Sequence, residues 1–510
     1  MKFPSFRGAG GSIIAVVRRF PFTIFSSVAA AIIQIFLIHA TTPPGNLWQI
    51  ISVLYVAIPA FLAVTLLGEA KAFTGRIIWT VQALVAVLLV LYGYFLVKPL
   101  GETWFSFSLL QILLIVAGVL ACTFVPFVFQ WTKMGIQRFW QYNRILVQAA
   151  IVTFIWSSVL QAGLTIALLS IIFLFGLEIR PDDWLQYTFV LISGIFSPLF
   201  FLSRVPKNPH ELSVDQSYPR EVRLFAQFLL APLVTLYFFI LYAYTAKILI
   251  GFEWPEGSLA WMIIGFSFVG VLAYLTLYPL RETRPWVKYF GAGLFMAMIP
   301  QIGMLFWAIS FRLRDYGVTE NRYFVLVFGA WLLVCAIYYL VSRAKDIRFI
   351  PMSLCLLALL SSFGPWSTFA VSEWSQVGRL EKILVRNGVL QDGTYVSGRT
   401  NLPPDDEDEI LEIMEYLGLN HDFDKIEPWF GGEDLDAIES NAWEKGDRIV
   451  QEKFGLDVYG LDTDREYFFL DLSSPAISLG TEGYDQFANW STDRSFLLDG
   501  ESSKFFIDAR

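Results

Sequence analysis

The sequence predicts a mainly α fold. A polytopic membrane helix bundle of about 11 transmembrane helices fills residues 1–371, and a C-terminal soluble α+β domain fills residues 372–510. Three observations predict it. Of 510 residues, 55% are hydrophobic and only 16% charged, with a mean hydropathy of +0.55, whereas soluble domains carry about 25% charged residues. Long uncharged runs recur from the N-terminus to Val371. The charge then changes sign: residues before Ser372 hold 25 Lys+Arg against 14 Asp+Glu (+11), and residues from Ser372 onward hold 12 against 31 (−19).

A bilayer core of about 30 Å needs roughly 20 apolar residues of helix. Runs of that size are Pro21–Ala40, Leu47–Leu67, Ile77–Val97, Trp104–Phe129, Leu146–Gly176, Trp184–Ser203, Leu224–Ala246, Leu259–Leu280, Tyr289–Phe311, Tyr323–Ser342 and Phe349–Val371. Pro21–Ala40 is too long for the apolar core of a signal peptide and lacks a convincing cleavage site, so it reads as a retained first helix. Leu146–Gly176 exceeds a plain span, so it must tilt, bend near Gly163 or extend past the membrane. Before it, Gln130–Gln148 is aromatic and basic. It reads either as an interfacial amphipathic connector or as an extension of the helix that follows.

Basic residues in short loops set orientation. They occupy the N-terminus (Lys2, Arg7, Arg18, Arg19) and alternate connections: Lys71 and Arg76; Lys133, Arg138 and Arg144; Arg204, Lys207, Arg220 and Arg223; Arg281, Arg284 and Lys288; Arg343, Lys345 and Arg348. This pattern places the N-terminus in the cytoplasm and, after eleven crossings, the acidic domain outside.

The acidic domain starts a helix at "NLPPDDEDEILEIMEYLGL". Proline and carboxylates suit a helix start, and Ile410, Ile413, Met414 and Leu417 share one face. The acid run therefore reads as helix-start chemistry rather than a metal site. Leu435 to Phe454 is a second amphipathic candidate. Short β-like runs follow ("EYFFLDL", "AISLG", "SFLLDG", "KFFIDA"), and "SFLLDGESSKFFI" looks like a hairpin. "DTDREYFFL" lacks the glycine and glutamate of a calcium loop.

Several function classes find no support. HExxH, CxxC, GxxxxGK[ST] and GxSxG are absent, which leaves zinc, redox, P-loop and hydrolase chemistry without a motif and implies no cofactor. Cys122, Cys335 and Cys355 sit in apolar runs as packing residues. None of the runs contains Asp, Glu or Arg, which disfavours a coupled transporter. Gln82, Gln111, Gln161 and Gln301 read as interhelical hydrogen-bond partners.

The densest polar chemistry lies in one short connection, "RLRDYGVTENRYF", from Arg312 to Phe324. Gly317 permits a positive φ between two helices, and Thr319 is placed to cap the second. Arg312, Arg314 and Arg322 fall where the loop rule expects no positive charge. Three readings follow. Asp315 or Glu320 pairs with the arginines to make a self-satisfied corner, with Tyr316 and Tyr323 beside it. Or the arginines bind an anion or headgroup. Or the turn docks the acidic domain.

The stretch from Tyr278 to Phe324 resembles the bacterial membrane proteins grouped as domain of unknown function 4153. The resemblance rests on Trp286-Val287-Lys288, a helix containing proline, and the pattern Arg312-x-x-x-Tyr316-Gly317-x-Thr319-x-x-Arg322-Tyr323. It implies a bacterial envelope protein and supplies no activity. The expectation is an inner-membrane binding, sensing or assembly factor that contacts membrane lipids and engages an envelope protein through its acidic domain, with no role for nucleic acid. The alternative is a membrane enzyme or binder acting on an anionic lipid-linked substrate through the arginine turn; a transporter ranks third.

Overall fold

Apolar helices follow one another through most of the chain, in the order the sequence predicts. A computed structural model of the chain describes residues 6–39, 45–70, 75–97, 104–176, 181–212, 218–251, 258–342, 345–396, 402–421, 423–431, 435, 445–450, 453, 486–489 and 505–508. The helices are α1 (Phe6–Arg19), α2 (Pro21–His39), α3 (Gly45–Glu69), α4 (Gly75–Tyr92), α5 (Trp104–Phe124), α6 (Lys133–Phe175), α7 (Pro181–Leu191), α8 (Ser197–Leu202), α9 (Arg220–Leu224) and α10 (Ala231–Gly251). They continue with α11 (Ser258–Leu277), α12 (Pro285–Tyr316), α13 (Glu320–Val341), α14 (Phe349–Ser362) and α15 (Thr368–Arg386). π-helical turns join α7 to α8 and α9 to α10 and extend α4. Among the described residues, ten helices are long and apolar enough to cross a membrane, and α14 is a shorter apolar helix.

One of these helices settles a choice the sequence left open, and another corrects a predicted span. α6 is one 43-residue helix, about 64 Å at 1.5 Å per residue. The basic, aromatic stretch before the span is therefore a helix extension, and α6 reaches past an apolar layer of about 30 Å. Thr132 Oγ1 accepts from Gly135 N at 3.0 Å at its start, and Gly176 (φ 61°) ends it.

α14 corrects the expected span Phe349–Val371. The helix stops at Ser362, Gly364 adopts φ +88°, and Ser367 caps α15 by accepting from Ala370 N. α14 nevertheless carries the chain back along α13. Tyr339 bonds the Asp346 carbonyl (3.1 Å), Trp331 bonds Ser353 Oγ (2.9 Å), and Tyr323 bonds Ser361 Oγ (3.3 Å) and the Trp366 carbonyl (2.8 Å). Descending positions on α13 thus meet ascending positions on α14, which is an antiparallel return.

Contacts between connections gather at two ends of the bundle. At one, Arg19 meets Glu69 and the carbonyls of Val205 and Pro206, His210 meets the Ala70 carbonyl, and Arg348 meets the carbonyls of Phe127 and Gln130. At the other, Tyr187 meets His39, Ser106 meets the Asn420 carbonyl, and the turn between α12 and α13 meets α15. The expected interhelical glutamines divide. Gln111 bonds the Ser52 carbonyl, Gln161 bonds Thr188, and Gln301 accepts from Thr245. Gln82 is buried.

The largest apolar core joins α6 to helices α10 through α14, with Phe295 stacked 4.8 Å from Tyr339 and edge-on to Tyr274 at 5.0 Å. The cysteines are buried and free. A second core lies in the C-terminal part. Leu380, Ile383 and Leu384 of α15 pack with Ile410, Ile413, Met414 and Leu417 of α16 (Pro404–Asn420) and with Ile449 and Val450. The predicted boundary between residues 371 and 372 falls inside α15. Of the second amphipathic candidate, α17 (Lys445–Ile449) is helical, while 436–444 lie outside the described residues.

Strands β1 (Leu390–Gln391) and β2 (Thr394–Tyr395) form a small antiparallel pair. β3 (Gln486–Asn489) and β4 (Phe505–Asp508) pair in parallel. "EYFFLDL", "AISLG" and the first arm of the expected hairpin lie outside the described residues.

Candidate functional site

The arginine connection is shorter than a loop. α12 runs through Arg312, Arg314, Asp315 and Tyr316, α13 starts at Glu320, and only residues 317–319 lie between. Gly317 makes the corner at φ 65°, ψ −169°, a region open in practice to glycine alone. Its α-face is also occupied: a Cβ there would lie 2.6 Å from Arg379 Cδ and 3.0 Å from Ser375 Oγ. Thr319 takes the N-cap position with extended backbone, but its side chain makes no cap hydrogen bond.

α15 supplies what the turn lacks. Gln376 Nε2 donates to the carbonyls of Tyr316 and Val318, both at 3.0 Å, and Ser375 Oγ accepts from Val318 N at 2.8 Å. Arg379 donates to the carbonyls of Tyr316 (2.8 Å) and Asp315 (3.1 Å) and pairs with Glu409 of α16. Arg322, in the first turn of α13, reaches back to the carbonyls of Tyr316 (2.9 Å) and Gly317 (3.0 Å), with its guanidinium 5.3 Å from the Tyr316 ring. The Tyr316 carbonyl therefore accepts from three side chains. The last carbonyls of a helix have no intrahelical partner, and here cationic and amide donors take that place.

On the inner side, Glu320 is 3% exposed at the first turn of α13, where the helix dipole favours a carboxylate. Tyr416 of α16 donates to its Oε2 at 2.6 Å. His421 Nε2, 8% exposed, lies 2.9 Å from its Oε1. Burial first, and then the neighbouring Glu320 carboxylate, push the Tyr416 phenol well above its ordinary range. Tyr323, the last residue of the motif, anchors α14 as described.

Asp315 pairs with no arginine among the described residues. Arg312, Arg314 and Asp315 are exposed. The structure thus brings Tyr316, Gly317, Glu320, Arg322 and Tyr323 into contact with other elements and leaves Arg312 and Arg314 at the surface. The sequence offered no direct signal for Ser375, Gln376, Arg379, Glu409, Tyr416 and His421 as the turn's partners, because they lie 55 or more residues further along. No group of His, Cys, Asp and Glu that could hold a metal occurs among the described residues.

α16 is tied down on one flank and free on the other. Asp406 accepts from Arg386 and from Asn387 Nδ2 (2.7 Å), and Glu409 is taken by Arg379. Asp405, Asp408, Glu412 and Glu415 are exposed. At helical spacing they form one acidic stripe.

A multi-pass helical membrane protein whose C-terminal helices are seated on one end of the bundle is the class that this fold and junction define. The chain belongs to the family described as a domain of unknown function (DUF4153), whose model matches residues 50–397. That region contains the turn and α15 and ends before α16. An uncharacterized protein of Pasteurella multocida (strain Pm70) is 25% identical over 347 residues, covering 66% of this chain and 55% of that protein. The chain thus spans about half the length of that curated relative. No solved structure matches the chain.

Proposed function

We propose that this is a multi-pass protein of a bacterial inner membrane that acts as an envelope binding, sensing or assembly factor, with its acidic C-terminal domain engaging a protein partner. The observation that carries the reading is the seat. The donors of Arg322 and Arg379 are spent on backbone carbonyls and Glu409, so the turn fixes α15 and α16 to the bundle rather than presenting both cations to a ligand. Held in this way, α16 offers Asp405, Asp408, Glu412 and Glu415 to solvent. A rigid acidic stripe suits a basic partner surface, where complementary charge speeds encounter and fixes register. The basic residues gathered at the opposite end support a cytoplasmic N-terminus and an acidic domain outside the cytoplasm.

Charge reversal of the stripe tests the reading. Asp408→Lys, Glu412→Lys and Glu415→Lys together, which spare the first-turn Asp405, should abolish in-cell photo-crosslinks from α16 to envelope proteins while leaving the thermal midpoint of the purified chain nearly unchanged. Crosslinks that survive the reversal would count against it.

Exposed Arg312 and Arg314 favour one second reading, a clamp on an anionic lipid-linked substrate. A lipid-linked anion that co-purifies with the chain and is lost in Arg312→Gln/Arg314→Gln would favour this alternative.

A further inference from the structure

A second basic site lies at the other end of the bundle, and none of the turn chemistry reaches it. A cavity of about 460 Å³ is lined by Ala15, Arg18, Arg19, Glu69, Lys207 and Asn208. Its walls come from the end of α1, the end of α3 and the segment after α8. All three positions adjoin the ends of membrane-crossing helices, which is headgroup depth.

The charges there have different duties. Arg19 is committed: its Nε and Nη2 grip the two carboxylate oxygens of Glu69 at 2.6 and 2.7 Å, and its Nη1 and Nη2 donate to the carbonyls of Val205 (2.6 Å) and Pro206 (2.7 Å). Glu69 is thereby neutralised, and Asn208 holds Glu211 at 2.8 Å. Arg18 and Lys207 remain, exposed and without an ion pair among the described residues. Exposed Arg204 stands nearby, its guanidinium 3.7 Å above the Phe200 ring.

The chain that carries Arg18 continues into the apolar layer. It bends at Phe20, between α1 and Pro21 of α2, and Phe20 N bonds the Val16 carbonyl while Ile24 N bonds the Phe20 carbonyl, which keeps Arg18 beside the start of α2. Phe25, Ile32 and Phe36 of α2 are exposed and fall at spacings of seven and four residues. That places them on one helical face. A cation at headgroup level above an exposed apolar stripe matches a molecule with an anionic head and acyl chains. A free inorganic anion would have no use for the stripe.

We propose that this cavity binds the phosphate headgroup of an anionic membrane lipid, with Arg18 and Lys207 as its counter-charges and the Phe25–Phe36 face of α2 receiving a chain. The inference is independent of the role given to the arginine turn.

Native mass spectrometry of the full chain in detergent tests it, with phosphatidylglycerol, phosphatidylcholine of the same chains and inorganic phosphate as probes. The wild type should retain phosphatidylglycerol in preference to phosphatidylcholine. Arg18→Gln/Lys207→Gln should weaken that retention roughly ten- to thirtyfold, the loss expected for two cations at a lipid surface. Arg220→Gln/Arg223→Gln removes equal charge elsewhere at the same end and should leave retention unchanged. Equal loss in both double variants, or no preference between the two lipids, overturns the proposal. Displacement of the lipid by millimolar inorganic phosphate overturns the lipid assignment in favour of a free anion. Lys207→Gln alone, which removes only an exposed side chain, should give a smaller loss in the same direction and serves if the double variant does not fold.

Discussion

Tyr416 donates a 2.6 Å hydrogen bond to Glu320 across 96 residues of sequence, joining the C-terminal helix α16 to the first turn of α13. Glu320 is buried at a helix start, so its carboxylate depends on this donor, on His421 and on the helix dipole. Tyr416→Phe should lower the thermal midpoint of the detergent-solubilised chain by the equivalent of about 1–3 kcal/mol, the usual range for orphaning a buried group. Removing both partners together, as in Tyr416→Phe/Glu320→Met, should recover part of the loss. A single Tyr416→Phe variant as stable as wild type would show that the contact does not hold the two parts together.

The same phenol makes stability depend on alkaline pH. Burial and the adjacent carboxylate raise its folded-state pKa above the usual value near 10. Above pH 10 the unfolded chain releases this proton while the folded chain keeps it, so the unfolded state binds fewer protons and stability falls as pH rises. The contribution is fully present below pH 10. Between pH 10 and 11 wild type should lose stability faster than Tyr416→Phe, with a difference in slope approaching about 1.4 kcal/mol per pH unit. Parallel slopes would place Tyr416 in water.

Gly317 sits where backbone strain and steric crowding coincide. Gly317→Ala must adopt a glycine-only conformation, at about 1–3 kcal/mol, and must also move Arg379 away from a 2.6 Å contact. Limited proteolysis should then cut between α15 and the bundle faster than in wild type. An unchanged cleavage rate would mean that the turn and α15 are not tightly seated.

Arg322→Ala removes two hydrogen bonds from a charged donor and a ring contact. Charged hydrogen bonds contribute about 1.5–3 kcal/mol each at the upper end, and the partial exposure of Arg322 places the loss toward the lower figure. Asp315 is exposed and pairs with no arginine, so Asp315→Ala should stay within about 0.5 kcal/mol and should not rescue Arg322→Ala. Rescue in the double variant, read from thermal midpoints, would restore the Asp315 pairing that the sequence suggested.

How far the sequence carried can be read from these same residues. The order of the spans follows from apolar runs, because a bilayer makes run length a strong constraint. The glycine corner follows from local backbone sterics, and the buried face of α16 follows from helical period alone. The partners of Glu320 do not follow. The arginines were nearer in sequence and opposite in charge, whereas Tyr416 and His421 reach Glu320 only through the packing of α15 and α16. The early end of α14 was marked only by Gly364-Pro365 and the Ser367 cap, set within residues 363–371 that carry no charge and so lengthen the apolar run. The family match reaches the turn and α15 but stops before α16, so it gives no sign of the Tyr416 contact either.

Arg348, which the loop pattern counts only as one basic residue of its connection, is the centre of a junction. Arg348 is only 2% exposed. Its Nε lies 3.0 Å from both carboxylate oxygens of Asp346, two residues earlier, and that carboxylate also accepts from Arg348 N at 3.0 Å. Nη1 donates to the Phe127 carbonyl (3.2 Å) and to the Gln130 carbonyl, and the guanidinium lies 4.7 Å from the Trp131 ring. The side chain therefore ties the start of α14 to the segment between α5 and α6. Arg348→Ala leaves Asp346 buried without its partner and frees two carbonyls, and breaking a buried pair costs about 3–5 kcal/mol. Lysine keeps the charge but not the planar fork, so Arg348→Lys should lose most of the same stability. Arg19 provides the contrast. It makes a comparable bidentate pair with Glu69 but is more exposed, so Arg19→Lys should cost less. Thermal midpoints of the three variants decide the point. A stable Arg348→Lys would reduce Arg348 to a generic positive charge and return it to the loop rule.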